Sequence, residues 1–185
     1  MVIQPKQTVQ DFDAFIALPE NADRLFELID GEIVEKVPTE EHGFLASLLS
    51  GEIYIYLKQN PIGRVAVEPR HKLPEDEHNA RMPDIAFTSS ERALPIVTSG
   101  AVPQMPDLAI EIQSPDDAVL KMREKALYYL THGARLVWLI FPRKQQIEVH
   151  TADDISVMTV GDTLNGGDVL PGFNLPVKDI FAHQS

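Results

Sequence analysis

Pro106-Asp107-Leu108-Ala109-Ile110-Glu111-Ile112-Gln113-Ser114-Pro115 is the stretch on which the reading of the whole chain turns. Leu108, Ile110 and Ile112 alternate with Ala109, Glu111 and Gln113, the period of two that marks a strand with distinct faces. With the leucine and isoleucines turned to a core, Glu111 and Gln113 project together from the other side. A carboxylate in so apolar a run calls for a partner or a cation, because glutamate is rarely buried without one. Glu111 is therefore the first candidate metal ligand. Ser114-Pro115 ends the strand, and the Asp116-Asp117 pair is placed to start a helix.

That helix is expected over 116–131, with Ala118, Met122, Lys125, Ala126 and Tyr129 at spacings of three and four, so Lys125 sits on or beside the inward stripe. Gly133 stands where a C-terminal glycine should. Leu136-Val137-Trp138-Leu139-Ile140 is continuously apolar, as in a strand buried on both faces. A strand, a crossing helix and a strand favour parallel pairing of the Glu111 and Trp138 strands. Further strands are expected over 146–151, 155–160 and 169–181.

Upstream, Met82-Pro83-Asp84-Ile85-Ala86-Phe87 reads as another strand, with Asp84 at its entrance and on the face opposite Ile85 and Phe87. A polar loop over 73–81 precedes it, and a strand over 64–69 precedes that. The connection over 89–105 reads as a loop with a helical turn near 90–94. A long helix is expected over 41–58, from Leu45, Leu48, Leu49, Ile53, Tyr56 and Leu57. His42, near its start, could line a site but is read first as local or structural, and Glu52, beside the apolar stripe, could reach a metal from the helix but is read first as a flank residue. Before it, 24–37 reads as a hairpin around Asp30-Gly31, a turn that needs positive φ, with Glu27 and Glu35 on the wet face. Thr8 is placed to cap a short helix over 9–18. The whole is a mixed α/β (α+β) sheet flanked by helices, expected as one domain over 1–185 with its core at about 10–181.

The chain has 185 residues, 44% hydrophobic and 24% charged, and no cysteine. Disulfides, zinc–thiolate centres and thiol catalysis are thereby excluded. No apolar run approaches a membrane span and the first residues carry no signal-peptide pattern, so a cytoplasmic, membrane-free protein is the expectation. The net charge is −12, awkward for nucleic-acid binding, which usually leaves a basic footprint. The charge is uneven, however. Between Lys121 and His150 six basic residues face two acidic ones, so that stretch is +4 and the remainder −16. Arg64, Arg70, His71, Lys72 and Arg81 form a second basic cluster in sequence.

Asp84 and Glu111 stand on strands that can be neighbours. Two rigidly held oxygen ligands suit Mg²⁺ or Mn²⁺, which keeps waters and borrows ligands from phosphate. Lys125, on the following helix, is placed to orient a water or stabilise developing negative charge.

Pro83-Asp84 followed by Glu111-x-Gln113 resembles the PD-(D/E)XK nuclease superfamily, the restriction-endonuclease-like fold. More closely, the chain resembles a bacterial family described as "putative restriction endonucleases". The likeness runs through Phe26-Glu27-Leu28-Ile29-Asp30-Gly31-Glu32, Glu41-His42-Gly43, Met82-Pro83-Asp84-Ile85-Ala86 and the Glu111 stretch, then Lys125, Tyr129, Gly133, Trp138 and Leu170-Pro171-Gly172-Phe173. It implies a divalent-metal-dependent endonuclease acting on DNA as a homodimer, with Asp84 and Glu111 on Mg²⁺ or Mn²⁺. In the superfamily pattern a lysine stands two residues after the glutamate. Here that residue is Gln113, and Lys125 matches the helix position to which the family's lysine moves. Gln113 would hold a water or a phosphate oxygen through its amide. Two alternatives remain: a catalytically inactive nuclease-fold module that binds nucleic acid or protein, and a metal hydrolase of small phosphorylated substrates.

Overall fold

Two Pro-Asp pairs, Pro83-Asp84 and Pro106-Asp107, each open a strand of the central sheet. The computed structural model, which describes residues 5–182, places β4 at Ile85–Ser89 and β5 at Leu108–Ile112, paired antiparallel with Ile85 opposite Ile110. Each aspartate accepts the N–H of the last residue of the neighbouring strand. Asp84 Oδ2 takes Ile112 N–H at 2.6 Å, and Asp107 Oδ2 takes Ser89 N–H at 2.8 Å. Both ends of the β4–β5 ladder are thus closed by carboxylates in place of backbone carbonyls. The stretch Met1–Gln4, read for a leader pattern, and His183–Ser185 lie outside the described residues.

In chain order the regular elements are helix α1 (Val9–Ile16), strands β1 (Leu25–Ile29) and β2 (Glu32–Lys36), helix α2 (Glu40–Gln59), strand β3 (Gly63–Val67), β4 and β5, helix α3 (Val119–Thr131), strands β6 (Leu136–Phe141), β7 (Gln146–His150), β8 (Ile155–Met158), β9 (Thr163–Gly166) and β10 (Leu170–Pro176), and helix α4 (Val177–Ile180). They belong to two compact units interleaved in sequence: 1–37, 69–82 and 95–105 form one, the rest the other.

The larger unit is built on a six-stranded sheet in the order β3-β4-β5-β6-β7-β8. Only β5–β6 is parallel, as the crossing helix requires. Alternation sends Ile85, Phe87, Leu108, Ile110, Ile112, Trp138 and Ile140 to one face, where they pack against Leu45, Leu49, Ile53 and Leu57 of α2 and residues of β9, β10 and α4. The other face carries Ala109, Glu111, Val137 and Leu139 beneath α3, whose Met122, Ala126 and Tyr129 are buried. The sheet is therefore covered on both sides, which is why β5 and β6 are buried at every position. The result is a mixed α+β fold with a six-stranded mixed sheet flanked by helices.

The helix after β5 begins three residues later than the sequence suggests. Asp117 Oδ2 accepts Ser114 N–H at 2.8 Å, so the Asp116-Asp117 pair closes a turn instead of capping α3, whose N-cap is Ala118. Its C-terminus is as expected, with Gly133 at φ +107°. At the edge of the sheet Gly63 is forced by space: a Cβ there would lie 2.4 Å from Thr88 O and 2.5 Å from the Phe87 ring.

The smaller unit packs α1 on the β1–β2 hairpin through Phe12, Phe26, Leu28 and Ala80. Asp30 and Gly31 adopt φ +50° and +82°, the double positive φ of a tight hairpin turn. Glu35 lies outward in a two-pronged pair with Arg24, at 2.8 and 2.6 Å. Glu27 does not share its wet face. The turn sets Glu27 opposite Val34 and Phe26 opposite Glu35, and Glu27 is buried, accepting Met82 N–H at 2.8 Å. The sequence cluster of basic residues also turns inward here. His71 and Arg81 face each other across a β-bridge and both are buried, so this stretch is no basic surface stripe.

Candidate active site

The β4–β5 register, continued by one residue, sets Asp84 across from Glu111, the relation in which cross-strand side chains share a face. The Ile112 N–H bond to Asp84 Oδ2 fixes one carboxylate beside the backbone that carries the other. Both are buried, at 1% and 3% relative exposure. Buried carboxylates need partners, and each has them.

Glu111 is held from α3. Tyr129, itself buried, donates its hydroxyl to Oε1 at 2.7 Å, and Lys125 donates to Oε2 at 3.1 Å. Lys125 and Tyr129 are four apart and so lie one above the other on the helix. The lysine side chain retains 18% exposure, with its stem along the helix and its ammonium at the carboxylate. Asp84 is held from α2, the helix of the opposite layer: Nε2 of the buried His42 lies 3.0 Å from Oδ2. The Asp84 carbonyl meanwhile accepts Glu68 N–H at 3.0 Å. Of the four expected site residues, Glu111 and Lys125 are in contact and Asp84 stands across the continued β4–β5 register from Glu111, with Tyr129 on the glutamate and His42 on the aspartate. Gln113 is half-buried, and its amide donates to the Asp117 carbonyl at 2.9 Å, in the same turn that delays α3.

Of the two readings open to His42 in the sequence, local or lining the site, the structure places it on Asp84. The readable signal is its place, one turn into a long helix whose N-cap Thr39 accepts His42 N–H at 3.2 Å; nothing local says which strand that turn faces. The row that begins with Asp84 and Glu111 continues through Leu139 to Glu148. Glu148 is buried under α3 and binds Arg123 Nε at 3.0 Å and His150 Nε2 at 2.9 Å. Hydrogen bonds from Arg123 lead the forces that hold its carboxyl below the usual glutamate range, against the opposing effect of burial. At the far end of β5, burial tends to raise Asp107, but the Ser89 N–H and Arg92, at 2.8 Å, outweigh it and keep the group low. Three of the six basic residues read between 121 and 150 are paired with the protein's own buried carboxylates: Arg123 with Glu148, Lys125 with Glu111, and Arg135 within 3.8 Å of Asp107.

No helix among the described residues is long and apolar enough to cross a membrane. No curated protein matches the chain. Among solved structures, the chain is similar to a "putative nuclease belonging to DUF820" from Anabaena variabilis ATCC 29413, with 28% identity and a TM-score of 0.77 over 92% of this chain and 96% of that one. A family model described as "Putative restriction endonuclease", Uma2, matches residues 12–178, nearly the whole of both units, and the chain belongs to that family.

Proposed function

We propose that the protein is a divalent-metal-dependent endonuclease that hydrolyses phosphodiester bonds in DNA, with Asp84 and Glu111 as metal-binding carboxylates. What carries the reading is a pair of buried carboxylates on adjacent strands, each tethered by a side chain from a different helix. The donor set fits Mg²⁺ or Mn²⁺. It is hard oxygen throughout, the chemistry of ions that take one or two carboxylates and complete their shell with water and phosphate. Such an ion supplies an acidified water and offsets charge on the phosphoryl oxygens.

The protein's own groups do the rest. Tyr129 and His42 hold Glu111 and Asp84 in single orientations, the preorganisation on which metal sites depend. Lys125, at the edge of solvent, offers its ammonium to a phosphate oxygen or to the attacking water. Gln113, at the end of β5, keeps an amide oxygen for a water. A homodimer acting in the cytoplasm would bring two such sites to the two strands of a duplex. Purified protein is expected to nick plasmid DNA with Mg²⁺ or Mn²⁺, and Asp84→Asn and Glu111→Gln to abolish nicking. Cleavage that survives either change refutes the assignment.

One observation favours a second reading, a nuclease fold kept as a binding module without catalysis: Gln113 stands at the strand-lysine position and spends its amide on Asp117. Calorimetric titration with Mn²⁺ separates the two, since a folded chain that takes up no ion at millimolar metal would be the binding module.

A further inference from the structure

We propose that the outward face of α2 is an interface between two copies of this chain, packed antiparallel about a two-fold axis. A surface helix ordinarily turns charged and polar residues to water. Across 43–57 the side of α2 away from the core carries no charge and little that is polar: it presents Gly43, Phe44, Ser47, Gly51, Tyr54 and Ile55. Phe44, Tyr54 and Ile55 are 46%, 60% and 55% exposed. Glu52, the acidic residue in that stretch, lies on the half-buried flank. Charge returns only at the two ends of the face, as Glu40 in the first turn and Lys58 in the last, both exposed.

The face is complementary to itself. A two-fold axis between Ser47 and Gly51 sets Ser47 against Gly51 of the partner subunit, Phe44 against Tyr54 of the partner subunit, and Gly43 against Ile55 of the partner subunit. The same operation sets Glu40 against Lys58 of the partner subunit, opposite charges at both ends. Large side chains meet small ones, the aromatics meet each other, and Gly43, Ser47, Gly51 and Ile55 form a single four-residue ridge of the kind that interdigitates between helices. This also accounts for the glycines. A Cβ at Gly43 or Gly51 would meet nothing within 4 Å in the chain, so alanine would fit the subunit and strengthen the helix. In the pair, those positions lie under Ile55 and Ser47 of the partner subunit. Nucleic acid fits the face poorly, because it offers a single cation, Lys58, along the helix.

The pairing gives a surface to the homodimer proposed above, and its test needs no cleavage, so it stands or falls apart from nuclease activity. Sedimentation velocity on the full chain, in a series reaching about 100 µM, is expected to show a species of twice 20.7 kDa. Gly51→Arg, which replaces a helix-weakening residue at a position with open space in the subunit, is expected to melt no lower than wild type yet weaken association at least about tenfold. Glu40→Lys and Lys58→Glu are each expected to weaken it about threefold, and the double variant to restore it. A monomer throughout the series overturns the proposal, as does a dimer indifferent to Gly51→Arg. A monomer that loses duplex affinity on Phe44→Ala or Tyr54→Ala also overturns it, in favour of nucleic acid on this face.

Discussion

Glu111 is secured through two oxygens by two residues of one helix, and the two contacts differ in kind. Tyr129 is out of solvent, so Tyr129→Phe removes a hydrogen bond from a buried carboxylate. That is expected to cost about 1–3 kcal/mol, read as a lower urea midpoint with an unchanged slope. Lys125 reaches solvent, and under the proposed activity its removal would bear on charge at the reacting phosphate. Lys125→Met is expected to lower DNA cleavage about 100-fold or more, with wild-type Mn²⁺ uptake by calorimetry. His42→Ala removes the tether of Asp84 and is expected to weaken Mn²⁺ binding about tenfold; equal affinity in the variant would make His42 a packing residue only. Asp84, Glu111 and Lys125 were legible because alternation and helical spacing place side chains on faces. Glu27 was legible in principle: the Asp30-Gly31 turn fixes a register, Glu27 opposite Val34 and Phe26 opposite Glu35, that puts the two glutamates on opposite faces of the hairpin, so they cannot share a wet one. Gln113 was assigned by position alone, and its hydrogen bond to Asp117 belongs to a turn whose closure no local pattern announces.

At the scale of elements, the strands of the central sheet and the α3 crossover follow from periodicity, since burial on two faces makes apolar runs and a crossing helix dictates parallel β5–β6. What periodicity leaves out is side chains that take over backbone roles. Asp117 delays α3 by bonding Ser114, and Asp84 and Asp107 terminate the β4–β5 ladder; in sequence all three look like ordinary strand-end or helix-start residues. The edge strand is equally specific. Gly63→Ala drives a Cβ into Thr88 O and the Phe87 ring, and is expected to cost about 2 kcal/mol by overpacking. Hydrogen exchange should accelerate at β3 while the β5 and β6 amides keep their protection; uniform loss would mean that β3 is not separable from the centre.

For the molecule as a whole, acid is the condition most sharply coded in the fold. Burial holds His71 neutral, with its pKa lowered from 6.5 to about 4 even though the Gln104 carbonyl 2.7 Å away favours the protonated ring. Below pH 6.5 the unfolded chain takes up a proton there that the folded one refuses until about pH 4. Stability is therefore whole above that window and falls across it, by up to about 3 kcal/mol for this one residue. Urea unfolding at pH 7 and pH 4.5 is expected to show the loss, and His71→Phe to flatten the dependence whatever its effect on absolute stability. Asp107 and Glu148, whose folded values are lowered, add losses of the same sign further down, as pH falls through those values.

The two Pro-Asp strand openings bear on how such a chain would age in evolution. Asp107 clamps Ser89 with arginines beside it, and Asp84 makes the mirror-image clamp on Ile112. The first shows that folding alone is reason enough to keep an aspartate in that place. A descendant that had abandoned chemistry would still be held to Asp84 by its sheet, while Lys125, at the edge of solvent, is held by its pairing with Glu111 and would be free to drift together with it. Among relatives, the lysine and not the aspartate would be the first record of a lost activity.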